Sequence, residues 1–186
     1  MGPVSKQRLK EVVPVLAENI EKLEVEMGQE LGVTQALRTS SEQYALWAQG
    51  RSDLETVNEL RAAVGWAALT EEQYVVVTEA KPGESYHEFG MAVDVVPLTS
   101  AGEADWNVNH PVWQKLVQLA ERLGMTSGIL WADEPHLQMS GKWPVGKPLA
   151  IAATLRQQGG LWAVWEAAGL TEPVVPATVG ARGVGQ

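Results

Sequence analysis

The 186-residue chain has no cysteine at all, which removes disulfides, thiolate metal ligands and a cysteine nucleophile together. Compartment stays open, because a cysteine-free chain tolerates either redox environment. Positive charge is scarce too. Fourteen basic residues against 23 acidic ones leave a formal charge of -9, a poor basis for adhesion to nucleic acid or to an anionic bilayer. No apolar run is long enough to span a membrane, and the polar stretch from Met1 to Lys10 leads straight into an amphipathic pattern, so neither a signal peptide nor a spanning helix is expected. No internal repeat occurs. Gly50 and the Gly159-Gly160 pair lack the strand-turn-helix setting of a phosphate-binding loop.

A chain of this length can bury a core of its own without staples. Ser5 is a credible cap for a helix whose apolar residues Leu9, Val12, Val13, Leu16, Ile20 and Leu23 recur every three or four positions, running toward Met27 and Leu31 until Gly32 ends it. Pro14 fits only near a helix start or a kink, so the first turns can form a separate short element. Val33 to Leu37 alternates like a short strand, and Ser40 or Ser41 can cap a second helix that ends near Gly50. Arg38 falls at that junction, where a guanidinium fork can reach a carboxylate in a cleft or make an ordinary salt bridge. Arg51 to Glu72 reads as a mostly helical insertion over one rim of the site, with a break near Gly65. Tyr74 to Thr78 and Met91 to Pro97 read as strands. Pro111 to Gly124 is the clearest helix, with proline in its first turn and glycine after its last. Ile129 to Trp131 and His136 to Met139 are short strand candidates. Helical pattern returns at Leu149, breaks at Gly159-Gly160 and ends near Ala168, with Trp162 and Trp165 together on a core face. The stretch 171–186 is expected to be a loosely held tail.

Only three histidines are present, and two of them have aspartates close by in strand-and-turn contexts: His87 with Asp94, and His136 with Asp133. Asp94 lies inside an apolar strand, where an unpaired charge is expensive and needs a cation or strong donors. A catalytic zinc site uses three ligands drawn from imidazole and carboxylate and keeps one position for water. His87, Asp94 and His136 form such a set. Asp133, three residues before His136 across a proline, can then act on that water as a base, with Glu134 as its competitor. Without a metal, the histidines would hydrogen-bond to nearby carboxylates and Asp94 would pair with Arg38.

An ordered series of motifs spans roughly residues 30–140: Leu37-Arg38-Thr39-Ser40 with Glu42-Gln43, Leu46-Trp47-Ala48-Gln49-Gly50-Arg51, Val77-Thr78-Glu79-Ala80, Ser85-Tyr86-His87-Glu88-Phe89-Gly90-Met91-Ala92-Val93-Asp94, and Asp133-Glu134-Pro135-His136-Leu137-Gln138. As a set it resembles the VanY-like and L-alanyl-D-glutamate peptidases, the LAS zinc peptidases of family M15 found in bacterial cell-wall metabolism and phage endolysins. The resemblance implies a small α+β domain of LAS/hedgehog type, with an antiparallel sheet carrying a zinc site flanked by helices. It makes His87, Asp94 and His136 the ligands of one Zn2+ and Asp133 the catalytic carboxylate. Arg38 becomes the cleft arginine that binds substrate or stabilises the oxyanion, Ser85 a substrate-side residue, and Gln43 and Gly90 residues that shape the site. Two departures stand out: Ser52 to Tyr74 is inserted before the serine-histidine motif, and Gly124 to Trp131 lacks the fuller Gly-Gly-Asp-Trp approach of the relatives.

What the resemblance implies for function is a zinc-dependent peptidoglycan peptidase that cleaves stem peptides, in the first instance between L-alanine and D-glutamate in the manner of an endolysin. A D-alanyl-D-alanine carboxypeptidase keeps the chemistry and changes the bond. A non-enzymatic wall-binding or virion structural protein keeps only the fold. The expected organisation is one domain over 1–170, including the insertion at about 52–73, acting as a monomer. Its partner is the stem peptide, with no nucleic acid and no membrane insertion. It would be made in the bacterial cytoplasm and reach the cell wall after release.

Overall fold

In the computed structural model, which describes residues 1–143 and 150–171, the chain opens with α1 (Pro3–Leu9) and α2 (Pro14–Met27), each with proline in its first turn. There the missing N–H has no intrahelical acceptor to lose. Gly28, left-handed at φ 62, ends α2. The helix therefore stops four residues short of Gly32, which instead belongs to β1 (Leu31–Gln35). Ser5 is not a cap: it lies buried within α1, and its Oγ accepts the Val33 N–H at 3.0 Å, tying helix to strand.

Thr39, rather than Ser40 or Ser41, caps α3 (Ser40–Ala48), because Thr39 is the last extended residue and Glu42 answers it in a reciprocal capping box. Asp53 caps α4 (Leu54–Ala63), and the chain leaves it through left-handed Gly65. The remainder of the 52–73 region is irregular apart from a 3-10 turn at Glu71–Gln73. Only Val57 of α4 is buried, so this region covers a rim and adds little to the core.

Tyr74 to Thr78 is not a strand; it has no hydrogen-bonded strand partner among the described residues. After a 3-10 turn at Tyr86–Phe89 come β2 (Ala92–Pro97), α5 (Pro111–Arg122), β3 (Thr126–Ser127), a second 3-10 turn at Gly128–Trp131 where a strand was expected, and β4 (His136–Gln138). The last element, α6 (Ala150–Ala168), is broken at Gly159 and Gly160, whose backbone angles are not helical. Trp165 in α6 donates its indole N–H to the Phe89 carbonyl at 2.8 Å, but Trp162 is 57% exposed and does not share the buried face. The helical restart at Leu149 and the tail beyond Thr171 lie outside the described residues.

The four strands form one antiparallel sheet in the order β1-β2-β4-β3. One face is closed by α2 and α5, whose Leu16, Ile20, Leu23, Trp113 and Leu116 pack with Val93 and Leu137. The β1–β2 register slips between Val33 and Gln35, which leaves Thr34 as a bulge and sets Gln35 opposite Asp94. On the other side of β2, Asp94 is opposite His136. Directly opposed residues share a sheet face, so Gln35, Asp94 and His136 stand in a row away from the helical core.

Candidate metal centre

His87 comes to this row from outside the sheet. The 3-10 turn at Tyr86–Phe89 closes on left-handed Gly90, and the Arg38 N–H donates to the His87 carbonyl at 3.1 Å, locking the turn to the β1–α3 junction. His87 Nε2 lies 3.2 Å from Asp94 Oδ1 and 3.2 Å from His136 Nδ1, and His136 Nδ1 lies 3.6 Å from the same carboxylate oxygen. The structure thus brings His87, Asp94 and His136 together, with ligand atoms all within 4.8 Å of one another.

The outer nitrogens fix the tautomers. His87 Nδ1 is 2.9 Å from the Ala36 carbonyl, and His136 Nε2 is 2.9 Å from Gln138 Oε1, whose own amide nitrogen donates to Ser140 Oγ at 3.0 Å. Each outer nitrogen donates its proton to a carbonyl oxygen, so in the neutral rings each inner nitrogen presents a lone pair for ligation. Two ring nitrogens and a carboxylate oxygen then converge on one point, an arrangement that a metal ion would satisfy. Tetrahedral ligands at about 2.0–2.1 Å from zinc lie about 3.3 Å apart, which the 3.2, 3.2 and 3.6 Å separations match. The donor set, nitrogen twice and oxygen once, fits zinc.

Charges around the cluster reinforce this reading. Burial pushes the His87 imidazolium form away and lowers its pKa, so the ring is neutral, as a ligand must be. Burial would raise Asp94, but its close contacts with His87 and His136 outweigh it and hold the carboxyl well below the usual range. Burial opposes protonation of His136 as well, yet the Asp94 bond and charge, with Gln138 and Asp133, raise its pKa above the ordinary value.

Asp133 lies beside the cluster, with Oδ2 3.9 Å from His136 Nδ1. Its pKa is raised, first by burial and then by Asp94, against the pull of His136, His87 and Arg38. It lines the same cleft of about 750 Å³ as the three cluster residues; Glu134 does not. Arg38 is buried, 3.8 Å from Asp94 Oδ2, with one terminal nitrogen bonded to Gln43 Oε1 at 2.6 Å and the other to Gln35 Oε1. Its Nε is a buried side-chain nitrogen with no partner among the described residues. Ser85 lines the cleft, and Gln43 bridges Arg38 to the Ala80 carbonyl at 2.6 Å. Gly90 faces away from the cleft: a Cβ there would come within 2.9 Å of the Glu11 carbonyl and 3.2 Å of Trp165.

Four further residues matter here that motif reading passes over. Gln35 depends on the Thr34 bulge, which no local pattern announces. Gln138 was within reach, since it shares a strand face with His136. Gly128 leaves room for no side chain: a Cβ would fall 2.2 Å from the Asp133 carbonyl. Trp131, 46% exposed, forms part of the cleft wall with its ring 6.1 Å from that of His136.

Residues 78–139 match the family model described as D-alanyl-D-alanine carboxypeptidase. The chain is 27% identical over 139 residues, 68% of its own length and 72% of the relative's, to the peptidoglycan L-alanyl-D-glutamate endopeptidase CwlK of Bacillus subtilis (strain 168). The crystal structure of the Serratia marcescens L-Ala D-Glu endopeptidase ChiX superposes with a TM-score of 0.46 at 21% identity, covering 75% of this chain and 88% of that one; so loose a superposition decides nothing. The matched segment begins before His87 and ends after His136, so the part of the chain that carries the buried cluster of His87, Asp94 and His136 is the part similar to the carboxypeptidase family model.

Proposed function

We propose that this chain is a zinc-dependent peptidase that hydrolyses an amide bond in peptidoglycan stem peptides, with the bond between L-alanine and D-glutamate as its target. The observation that carries this is the convergence of His87, Asp94 and His136 on one point, beside the carboxylate of Asp133 in an open cleft. The similarity to CwlK over most of both chains supports the choice of bond.

His87 Nε2, His136 Nδ1 and Asp94 would hold a zinc ion, which would supply Lewis acidity for water activation and carbonyl polarisation. The protein's own groups do the rest. Asp133 takes the proton of the attacking water and delivers it to the departing amine nitrogen. Arg38, held by Gln35 and Gln43, keeps a buried cation at the cleft floor, where its charge would favour a substrate carboxylate or the oxyanion that develops during attack. Gln138 and the Ala36 carbonyl hold the imidazoles in the ligating tautomer.

Product analysis tests the reading. Purified peptidoglycan is digested with metal-depleted and with zinc-restored protein, and the fragments are identified by mass spectrometry. New L-alanine carboxyl and D-glutamate amino ends, formed only after zinc is restored, are expected. Free D-alanine as the sole product would reject the endopeptidase assignment in favour of the carboxypeptidase named by the family model. Binding to peptidoglycan without turnover would leave a wall-binding protein.

A further inference from the structure

The stretch Tyr74 to Thr78 has the composition of a strand but, among the described residues, no strand beside it. From Val76 to Lys81 the chain runs without turn or bend. Val75, Val76 and Val77 are 55%, 48% and 49% exposed, and residues 76–80 form one wall of the cleft that holds His87, Asp94 and His136. One edge of this segment is already taken. Arg51 Nη1 donates to the Thr78 carbonyl at 2.9 Å and Gln43 Nε2 to the Ala80 carbonyl at 2.6 Å. Val76 is pressed against Gly50, where a Cβ would come within 2.7 Å of the Val76 nitrogen. Glu79 adds a carboxylate bond to Arg51 at 2.6 Å.

Along an extended chain, the backbone groups of successive residues lie on opposite edges. The anchors fall on residues 76, 78 and 80, all on the side of α3 and the turn that follows it. Val77 and Glu79 therefore turn their N–H and C=O groups to the other edge, and among the described residues these groups have no hydrogen-bond partner. A valine-rich edge left open invites unwanted pairing, and this one is pinned rigidly in place beside the catalytic cluster.

We propose that this edge is a strand-addition site for the substrate: peptide flanking the scissile bond lies extended beside Val77 and Glu79, and one of its residues exchanges backbone hydrogen bonds with Val77. Recognition of this kind draws affinity from main-chain bonds and direction from the fixed strand. The occupant follows from continuity, since the open edge and the metal cluster line one cleft. The proposal rests on the peptidase reading and adds the element that orients the peptide across the site.

The test uses zinc-loaded full-length protein and two synthetic substrates: a stem peptide extended beyond the scissile bond, and a dipeptide amide containing only that bond. Val77→Pro deletes the N–H while tolerating an extended backbone. It is expected to lower the ratio of kcat/KM for the long substrate over the short one about fivefold, the effect of one net hydrogen bond. Val77→Ala, which keeps the N–H, should leave that ratio within about twofold. Independently of any variant, wild-type protein should lose a similar factor on a long substrate N-methylated at one amide outside the scissile bond. A ratio that does not move, or no sensitivity to any such methylation, overturns the proposal while the peptidase reading stands. Hydrolysis of neither peptide removes both. A concentration-dependent dimer abolished by Val77→Pro, with the ratio unmoved, would assign the edge to a second copy of this chain and so contradict it.

Discussion

Asp94 sits in a strand whose other residues are apolar and buried, and its charge is tolerated because two imidazole nitrogens and a guanidinium lie 3.2, 3.6 and 3.8 Å away. Asp133 has a different environment: it is half exposed, outside the tight cluster, and its pKa is raised mainly by burial, which suits the proton transfer proposed for it. Asp133→Asn should therefore keep its zinc and lose turnover by roughly 10²–10⁴-fold, the usual value of a positioned base. Zinc content and kcat measured on the same preparation check this. Near-normal kcat would move the proton to another group. The raised pKa of His136 has its own consequence, since a proton and a metal compete for Nδ1. Zinc affinity should be steady above that raised value and fall by about tenfold per pH unit below it, for one competing proton. Calorimetric titration with zinc across neutral and mildly acidic pH reads this directly. The three cluster residues were legible in the sequence because aspartate within an apolar strand and histidine in motif context are local signals. The outer partners were less so, since the Ala36 carbonyl and Gln35 reach the site only through chain geometry that the residues themselves do not encode.

At the scale of elements, the site is assembled by a bulge, two 3-10 turns and two glycines. Gly128 is the most demanding of these positions. An added Cβ would meet the Asp133 carbonyl at 2.2 Å and His136 Cβ at 2.8 Å, so the backbone carrying both residues would have to move. Gly128→Ala should cost about 1–3 kcal/mol in stability, as overpacking does, and weaken zinc binding as well. Gly28→Ala is the informative contrast. Its φ of 62 is left-handed but a Cβ there meets nothing within 4 Å, so about 1 kcal/mol of strain is expected with zinc affinity unchanged. Denaturant unfolding of the metal-free variants together with zinc titration separates the two effects. The long helices α2 and α5 were readable from apolar periodicity and proline and glycine punctuation, although α2 ends at Gly28, where the left-handed cap forms, and not at Gly32. Tyr74 to Thr78 was misread because β propensity reports fitness for a pleated surface and not the existence of a partner. Ile129 to Trp131 was misread for a related reason: three apolar residues are too few for period to separate a strand from a 3-10 turn.

For the whole molecule, two features set the behaviour. The sheet buries one face on α2 and α5 and commits the other to the cluster, so binding of the proposed metal would be linked to folding through β2 and β4. With free zinc at about 100 times its dissociation constant, binding should stabilise the fold by ~2.7 kcal/mol. Addition of a chelator should then lower Tm by several degrees, as scanning calorimetry would show, and restored zinc should return it. The formal charge of -9 works against adhesion to an anionic wall, whereas in the cleft Arg38 places a buried cation beside Asp94.

X-ray absorption at the zinc edge, on protein loaded with one equivalent of metal, probes the cluster most directly. Two imidazole nitrogens at about 2.0–2.1 Å and one carboxylate oxygen, in four-coordinate geometry, with the imidazole signal halved in either His87→Ala or His136→Ala, is the predicted result. A first shell without imidazole, or one unaltered by those substitutions, would contradict it.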